Sequence, residues 1–414
     1  MSNVSKSAHD LCYSGDSAGP TSRFLQRFLI DITRVAYRRF LNRHPTGIDR
    51  VGLAYVSGFG DRARAVLSLG PFSAVLSPRD SRHAFDLLGS GRPLPKSIVF
   101  RILAKAFLWQ WFAFDVRGAL LLNVVHTGLE SPHYAFLLRR RGARMLAFVH
   151  DLIPLSHPEY FRPGEFGRHV VRMRLTARIA CAVVANSAQT LGEFHAFARA
   201  RGLPEPPSTI ARLGPGLPAL APGPRPLEPP YFVILGTIEP RKNHAMLLHI
   251  WRRLAQRHGE RAPRLVVIGH RGWECEHVSD LLDRCLQLNG AVVELADCGD
   301  QDAVTWLAHA QAVLYPSFVE GYGLPLVEAL VLGVPAIASD LAVFREVAGE
   351  VPEYVDPLDA PRWEALVMEY AQPGSRARAA QLERLGAHSP MTWEAHFREV
   401  EALLARLVPP ARRP

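Results

Sequence analysis

Apolar residues in this chain follow two rhythms: short unbroken runs alternate with longer stretches in which apolar positions recur at helical spacing. Unbroken runs bounded by turn residues suit strands covered on both faces, whereas helical recurrence suits helices with one apolar stripe. Residues 24–33 (FLQRFLIDIT) read as a first buried strand, followed by a loop and a helix from residue 48 onward. Short strands are expected at 63–69 and 72–76, a helix at 97–114, a strand at 119–125 and a helix at 131–141. Strand 145–150, helix 165–180, strand 182–185 and helix 188–201 complete this half. Such alternation predicts a parallel sheet with helices on both faces.

Residues 218–230 (PALAPGPRPLEPP) break the rhythm, and a proline-rich stretch without a helix-forming run reads as a linker. The alternation then restarts, with strands at 231–235, 264–268, 292–295, 313–315 and 336–338. Helices are expected at 244–258, 278–288, 302–309 and 326–332, and a last amphipathic helix at 392–407. The expected organisation is a lead-in over 1–22, a first domain over 23–217, the linker over 218–230, a second domain over 231–391, and a closing helix and tail over 392–414. The fold class is α/β: two doubly wound, Rossmann-like parallel-sheet domains facing a central cleft. Ligands of such sheets sit beyond the carboxyl ends of the strands.

Composition narrows the function classes. The most apolar stretch, 107–125, is interrupted by Gln110, Asp115, Arg117 and Asn123, so it does not read as a membrane span. Residues 1–22 have no apolar core of the kind a secretory signal needs. The 5 cysteines lack the paired spacing of a zinc site or disulfide framework, which fits a reducing compartment. Charge is uneven: the net is +15 over 1–217 and −6 over 218–414. A basic half facing an anionic membrane surface or a lipid-linked anionic substrate is one reading, and arginine-rich solvated faces are the other. Nucleic acid is not the expected partner, because no basic helix interleaved with aromatics is present.

Four strand-end turns carry candidate chemistry. In the first, LGTIEPRKN (235–243), Asn243 would cap the following helix, placing Arg241 and Lys242 at a helix N-terminus that attracts anions. Two adjacent cations there suit a diphosphate. Lys242 is the only lysine after residue 105, which hints that a compact ammonium is required. The second, YPSFVEGYGLPLVE (315–328), separates Glu320 from Glu328 by a turn in which Gly321 and Gly323 permit close ligand approach. Glu328 falls on a helix among apolar neighbours and can accept from two vicinal hydroxyls. The third turn ends strand 145–150 with His150-Asp151, read as a cleft pair or as a core histidine bonded to backbone. In the fourth, Asp31-Ile32-Thr33 is joined by HPTGIDR (44–50), where Gly47 opens a helix; no GxGxxG accompanies it.

Lesser features are weighed beside these. Asp300-Gln-Asp302 is expected to cap a helix rather than hold metal. His270 and Arg271 would meet a nucleobase or diphosphate, or merely belong to a surface loop, and Trp273 would pack that loop. Ser187 is read as a helix cap facing the cleft. Arg168 with Arg172, and Arg174 with Arg178, are helical neighbours that would touch lipid headgroups or an acceptor pyrophosphate, or simply face water.

Taken together, GTIEPRKN, EGYGLPLVE, VVIGHRGW and the strand-end VHD resemble the family-4 glycosyltransferases of GT-B fold. TGIDR and HDLIPLSHPEYFRP look like bacterial enzymes that add sugars, often mannose, during exopolysaccharide or O-antigen assembly. The resemblance implies an acceptor-binding N-terminal domain, a donor-binding C-terminal domain and a last helix packing back on the former. By the same resemblance Arg241 and Lys242 would hold the donor diphosphate, and Glu320 with backbone from Gly321 through Tyr322 and Gly323 to Leu324 the transferred sugar. Glu328 would bind the ribose, His150 would lie near the anomeric carbon, and Gly47 would admit the donor phosphate. Gly236, Asn243 and His270 complete the implied donor side; Asp151, Ser187, Arg168 and Arg172 are the acceptor candidates. The implied activity is metal- and cofactor-free, configuration-retaining transfer of a hexose, GDP-mannose first, onto a lipid-linked saccharide. It would occur in the cytoplasm at the inner membrane face. A soluble-acceptor transferase, a nucleotide-sugar epimerase and a non-catalytic basic binding protein are the alternatives.

Overall fold

Strands such as AVVA (Ala182–Ala185) and YFVIL (Tyr231–Leu235) have no polar face, so each needs cover on both sides, and both are almost wholly buried. The computed structural model describes residues 28–69, 72–90, 116–131 and 142–407, together with Ala104 and Arg140. These runs assemble into two sheets. The first comprises β1 (Phe28–Asp31), β2 (Ala63–Leu69), β3 (Phe72–Val75), β4 (Leu120–Asn123), β5 (Arg144–Val149), β6 (Ala182–Ala185) and β7 (Ser208–Ile210), in the order β3-β2-β1-β4-β5-β6-β7. The second comprises β8 (Tyr231–Leu235), β9 (Arg264–Ile268), β10 (Val292–Leu295), β11 (Ala312–Tyr315), β12 (Ala336–Ser339) and β13 (Glu353–Val355), in the order β10-β9-β8-β11-β12-β13. The chain reverses its winding between β1 and β4 and again between β8 and β11. Those reversals open the crevices in which doubly wound sheets hold ligands.

Several expectations need correction. The second sheet is parallel throughout, but β2 and β3 pair antiparallel. Only residues 70–71 separate them, and a parallel crossover needs a dozen residues or more. The loop expected after β1 is instead a helix, Thr33–Phe40. It buries only Val35, so its apolar stripe is too thin to show in the pattern. Strand β7 was also missed, being short and only half-buried. The helices expected at 97–114 and 131–141 fall mostly outside the described residues.

The last helix, Trp393–Leu407, returns to the first half. Val400, Leu403 and Leu404 join the hydrophobic cluster beneath β1, β4 and β5. His396, fully buried, faces the Tyr55 hydroxyl at 3.1 Å through Nε2 and the Ala211 carbonyl at 3.0 Å through Nδ1. Trp393 Nε1 donates to Pro215 O at 2.8 Å. Among the described residues no helix is long and apolar enough to cross a membrane.

Candidate functional site

The site is built at the second reversal, where the turns after β8 and β11 lie side by side. Beyond β8, Gly236 adopts φ +147, and Gly269 beyond β9 adopts φ +148. A β-carbon on Gly269 would stand 2.0 Å from Gly236 O, so the two turns touch backbone to backbone. The chain then makes a short turn, Pro240–Lys242, before the helix His244–His258. Asn243 does not cap that helix with its side chain: it adopts φ +58, and its Nδ2 donates to Pro357 O at 2.9 Å. The left-handed backbone at Asn243 turns Arg241 and Lys242 toward the β11 loop instead.

Glu320 receives both cations. Arg241 donates to its Oε2 at 2.6 Å, and Lys242 Nζ and Ser317 Oγ (2.9 Å) donate to its Oε1. Arg241 also pairs with Glu239 at 2.6 Å and donates to Val319 O at 3.2 Å. Burial alone would raise the Glu320 carboxyl, but Arg241 and Lys242 pull it down to about 2. Glu239 goes the other way, raised by burial that Arg241 only partly offsets. Arg241 therefore commits both terminal nitrogens to protein oxygens. The Lys242 ammonium, by contrast, takes no second partner among the described residues, and a β-carbon at Gly236 would lie 3.9 Å from its Nζ. Of the two cations, Lys242 is held by fewer protein partners.

The β11 loop reaches the helix Leu324–Val331 through Gly323, at φ +96. Glu328, on that helix, is 4% exposed, and its carboxyl is raised by burial against the opposing pull of Arg50. Leu324 packs toward Gly47, whose β-carbon would meet Leu324 Cδ1 at 3.4 Å. Gly47 opens the helix Gly47–Phe59 behind a Thr46–Asp49 capping box. Tyr322 is buried, with its hydroxyl donating to Leu213 O at 2.7 Å, so only its backbone faces the gap.

Across the gap, β5 delivers His150 and Asp151. A β-carbon at Gly321 would come within 2.7 Å of both His150 O and Asp151 Cβ, so the two halves meet here with no room for a side chain. Ser187 caps the helix Ala188–Arg199, and the Ser187 and Thr190 hydroxyls lie 3.2 and 3.3 Å from Gly321 O as donors. His150 is a buried histidine bonded to backbone: its Nε2 donates to Val124 O at 2.7 Å, and burial lowers its pKa to about 4. It is neutral near pH 7. Asp151 Oδ1 accepts from Ile153 N at 3.2 Å.

Other candidates lie elsewhere. Arg168 pairs with Glu165 at 2.6 Å on its own helix, and Arg172 pairs with Glu130 and contacts His169 Nδ1 at 2.9 Å. Arg271 pairs with Asp283 and Glu294. His270 is exposed at the gap's rim, and burial with Arg38 and Arg43 lowers its pKa. Trp273 bridges the halves, donating to Tyr160 O at 2.8 Å. Asp300 begins the helix Asp300–Ala308 behind Gly299 and does not cap it; it pairs with Arg50 at 2.7 Å.

Residues 220–354 match the family model described as glycosyl transferases group 1. The matched segment contains Arg241, Lys242, Glu320 and Glu328. Among relatives, the chain is 34% identical over 164 residues to O-antigen chain mannosyltransferase B of Escherichia coli, covering 40% of this chain and 42% of that protein. It is 30% identical over 262 residues to serotype-specific mannosyltransferase WbdA of Escherichia coli, covering 58% of this chain and 32% of that protein. The chain therefore spans less than half the length of either relative. In fold it is similar to Anabaena Alr3699/HepE in complex with UDP-glucose, with a TM-score of 0.61, 15% identity, and 92% and 99% of the two chains covered. It is likewise similar to sucrose-phosphate synthase from Thermosynechococcus elongatus, with a TM-score of 0.60, 15% identity and the same coverage. The two-domain fold is GT-B.

Sequence reasoning missed Glu239, which pairs with Arg241, and Ser317, whose hydroxyl donates to Glu320. Both stand within the quoted motifs, but nothing in spacing tells which way a loop side chain turns. It also missed Thr190 as a partner of Gly321, and the Arg50–Asp300 pair, whose members are 250 residues apart.

Proposed function

We propose that this protein is a glycosyltransferase that moves a hexose from a nucleoside-diphosphate sugar to a saccharide acceptor. The observation that carries this reading is the Arg241–Lys242–Glu320 cluster at the strand-order reversal of a group 1 domain, directly opposite His150 and Asp151. Mannose from GDP-mannose is the donor of choice, supported by the names of the relatives; UDP-glucose is the comparison donor. The acceptor is a lipid-linked saccharide presented at an anionic membrane surface, supported by the net +15 of residues 1–217.

In this reading Lys242 contacts the donor diphosphate, while Arg241 holds Glu320 ionised for the hydroxyls of the sugar. The bond from the anomeric carbon to phosphate oxygen breaks, and the acceptor oxygen bonds to that carbon on the same face. The acceptor's proton passes to the departing phosphate oxygen, so configuration is retained without a protein base. Neutral His150 adds no positive charge beside the reacting carbon. Catalysis is then chiefly electrostatic stabilisation of the leaving group by preorganised donors. Neither metal nor cofactor takes part.

Transfer assays with GDP-mannose, UDP-glucose and UDP-galactose, with and without anionic vesicles and with EDTA, test each element. Turnover of GDP-mannose that survives EDTA and retains the anomeric configuration by NMR is expected. Absence of transfer from every donor overturns the reading, and full activity on a water-soluble acceptor without vesicles overturns the lipid-linked acceptor.

A further inference from the structure

Arg50 stands outside the donor and acceptor sets, yet it touches both halves of the molecule. It sits in the first turns of the helix Gly47–Phe59, on the N-terminal half. Its guanidinium donates to Asp300 of the second half at 2.7 Å and to Gly216 O, in the segment between the halves, at 2.9 Å. A β-carbon at Gly216 would come within 2.6 Å of Arg50 Cδ and 2.7 Å of Glu328 Oε1. The connecting segment is thus clasped between the arginine and the glutamate, and a side chain at Gly216 would displace one or both. The charged or titratable groups around Glu328 are Arg50 from its helix, Asp300 from the helix Asp300–Ala308, and the buried Tyr315 at the end of β11; the Gly216–Leu217 backbone closes the ring.

We infer that Arg50 is a positioning residue for Glu328: it fixes the carboxylate that accepts the donor's ribose hydroxyls, so the ribose site is complete only when the two halves are together. The inference rests on the proposed reading of Glu328 as the ribose-binding group. Its physical basis is that one guanidinium pairs with the partly exposed Asp300 while standing beside the buried Glu328. Arg50 is the foremost charge opposing the burial of Glu328, and Asp300 aims it. Without Arg50, Glu328 is left buried beside Asp300 with no compensating charge, and it favours the protonated form, a poorer acceptor for two hydroxyls.

The test measures calorimetric binding of GDP and UDP, and of their 2′,3′-dideoxy counterparts, to the full chain. The proteins compared are the native chain, Arg50→Gln, Arg50→Lys and Asp300→Asn. Arg50→Gln is expected to weaken the ribonucleotide by about tenfold, while the dideoxy nucleotide, which lacks the hydroxyls, binds native and variant alike. Arg50→Lys and Asp300→Asn should fall between, and they keep the test informative if Arg50→Gln does not fold. Equal losses on both nucleotides would mean a purely structural role and overturn the inference, as would no loss on either. If neither GDP nor UDP binds the native chain, the donor reading falls first and takes this inference with it.

Discussion

In the proposed reading, Lys242 is the residue on which most of the chemistry converges. Its ammonium bonds one carboxylate, whereas Arg241 bonds two carboxylates and a carbonyl. Lys242→Ala should lower kcat by ~100-fold or more while leaving the circular dichroism spectrum unchanged, in line with the typical loss of one preorganised donor. Lys242→Arg should not restore the rate, because the planar fork cannot occupy the ammonium's place against Gly236. An unchanged kcat in Lys242→Ala would remove the diphosphate role. Gly269 makes a purely structural forecast. A β-carbon there meets Gly236 O at 2.0 Å in a backbone conformation that L residues avoid, so Gly269→Ala should cost at least about 2 kcal/mol by chemical denaturation. Gly321→Ala pushes on His150 and Asp151 instead, and should impair turnover more than stability, which a comparison of kcat with the melting temperature would show.

At the scale of elements, the last helix ties the ends of the chain together. Leu403 is fully buried in the cluster formed by the first sheet and the helix Gly47–Phe59. Leu403→Ala should destabilise by ~2–5 kcal/mol, the usual range for a leucine truncated in a packed core; urea unfolding measures it. That a terminal amphipathic helix exists was legible from its pattern. The helix Thr33–Phe40 was not, because a single buried valine leaves no periodic signal. The β2–β3 hairpin was legible in principle: two strands separated by two residues can only pair antiparallel.

The molecule as a whole carries buried histidines in both halves. His150 and His396 are lowered to about 4 and His244 to about 3, each by burial. The unfolded chain takes up these protons near the ordinary value of 6.5, while the folded chain resists until about pH 4 or below. Stability is therefore present above pH 6.5 and lost as pH falls toward 4. Glu239 and Glu328, raised by burial, act in the opposite sense, and Glu320 weakens the fold only as pH drops from about 4.5 toward 2. Thermal melts from pH 7.5 to 4.5 should show a falling midpoint. His396→Asn should flatten that fall, since the buried imidazole no longer resists protonation; an identical slope would contradict it.

The sequence by itself determined the two rounds of strand and helix and the proline-rich break between them. Periodicity and turn chemistry act over a few residues, so they are written locally. It also placed Arg241, Lys242 and Glu320 in strand-end turns, and Glu328 on the helix after one of them, which a doubly wound sheet must aim at a crevice. Tertiary structure alone decided how those loops face one another. It made Glu320 the shared partner of both cations, spent the His150 Nε2 proton on Val124 O, and withdrew Arg271 to Asp283 and Glu294. It also brought Arg50 to Asp300 across the gap. The first three depend on how loops of one sheet pack together and the last on how the two sheets rest against each other, and no local pattern in the chain encodes either distance.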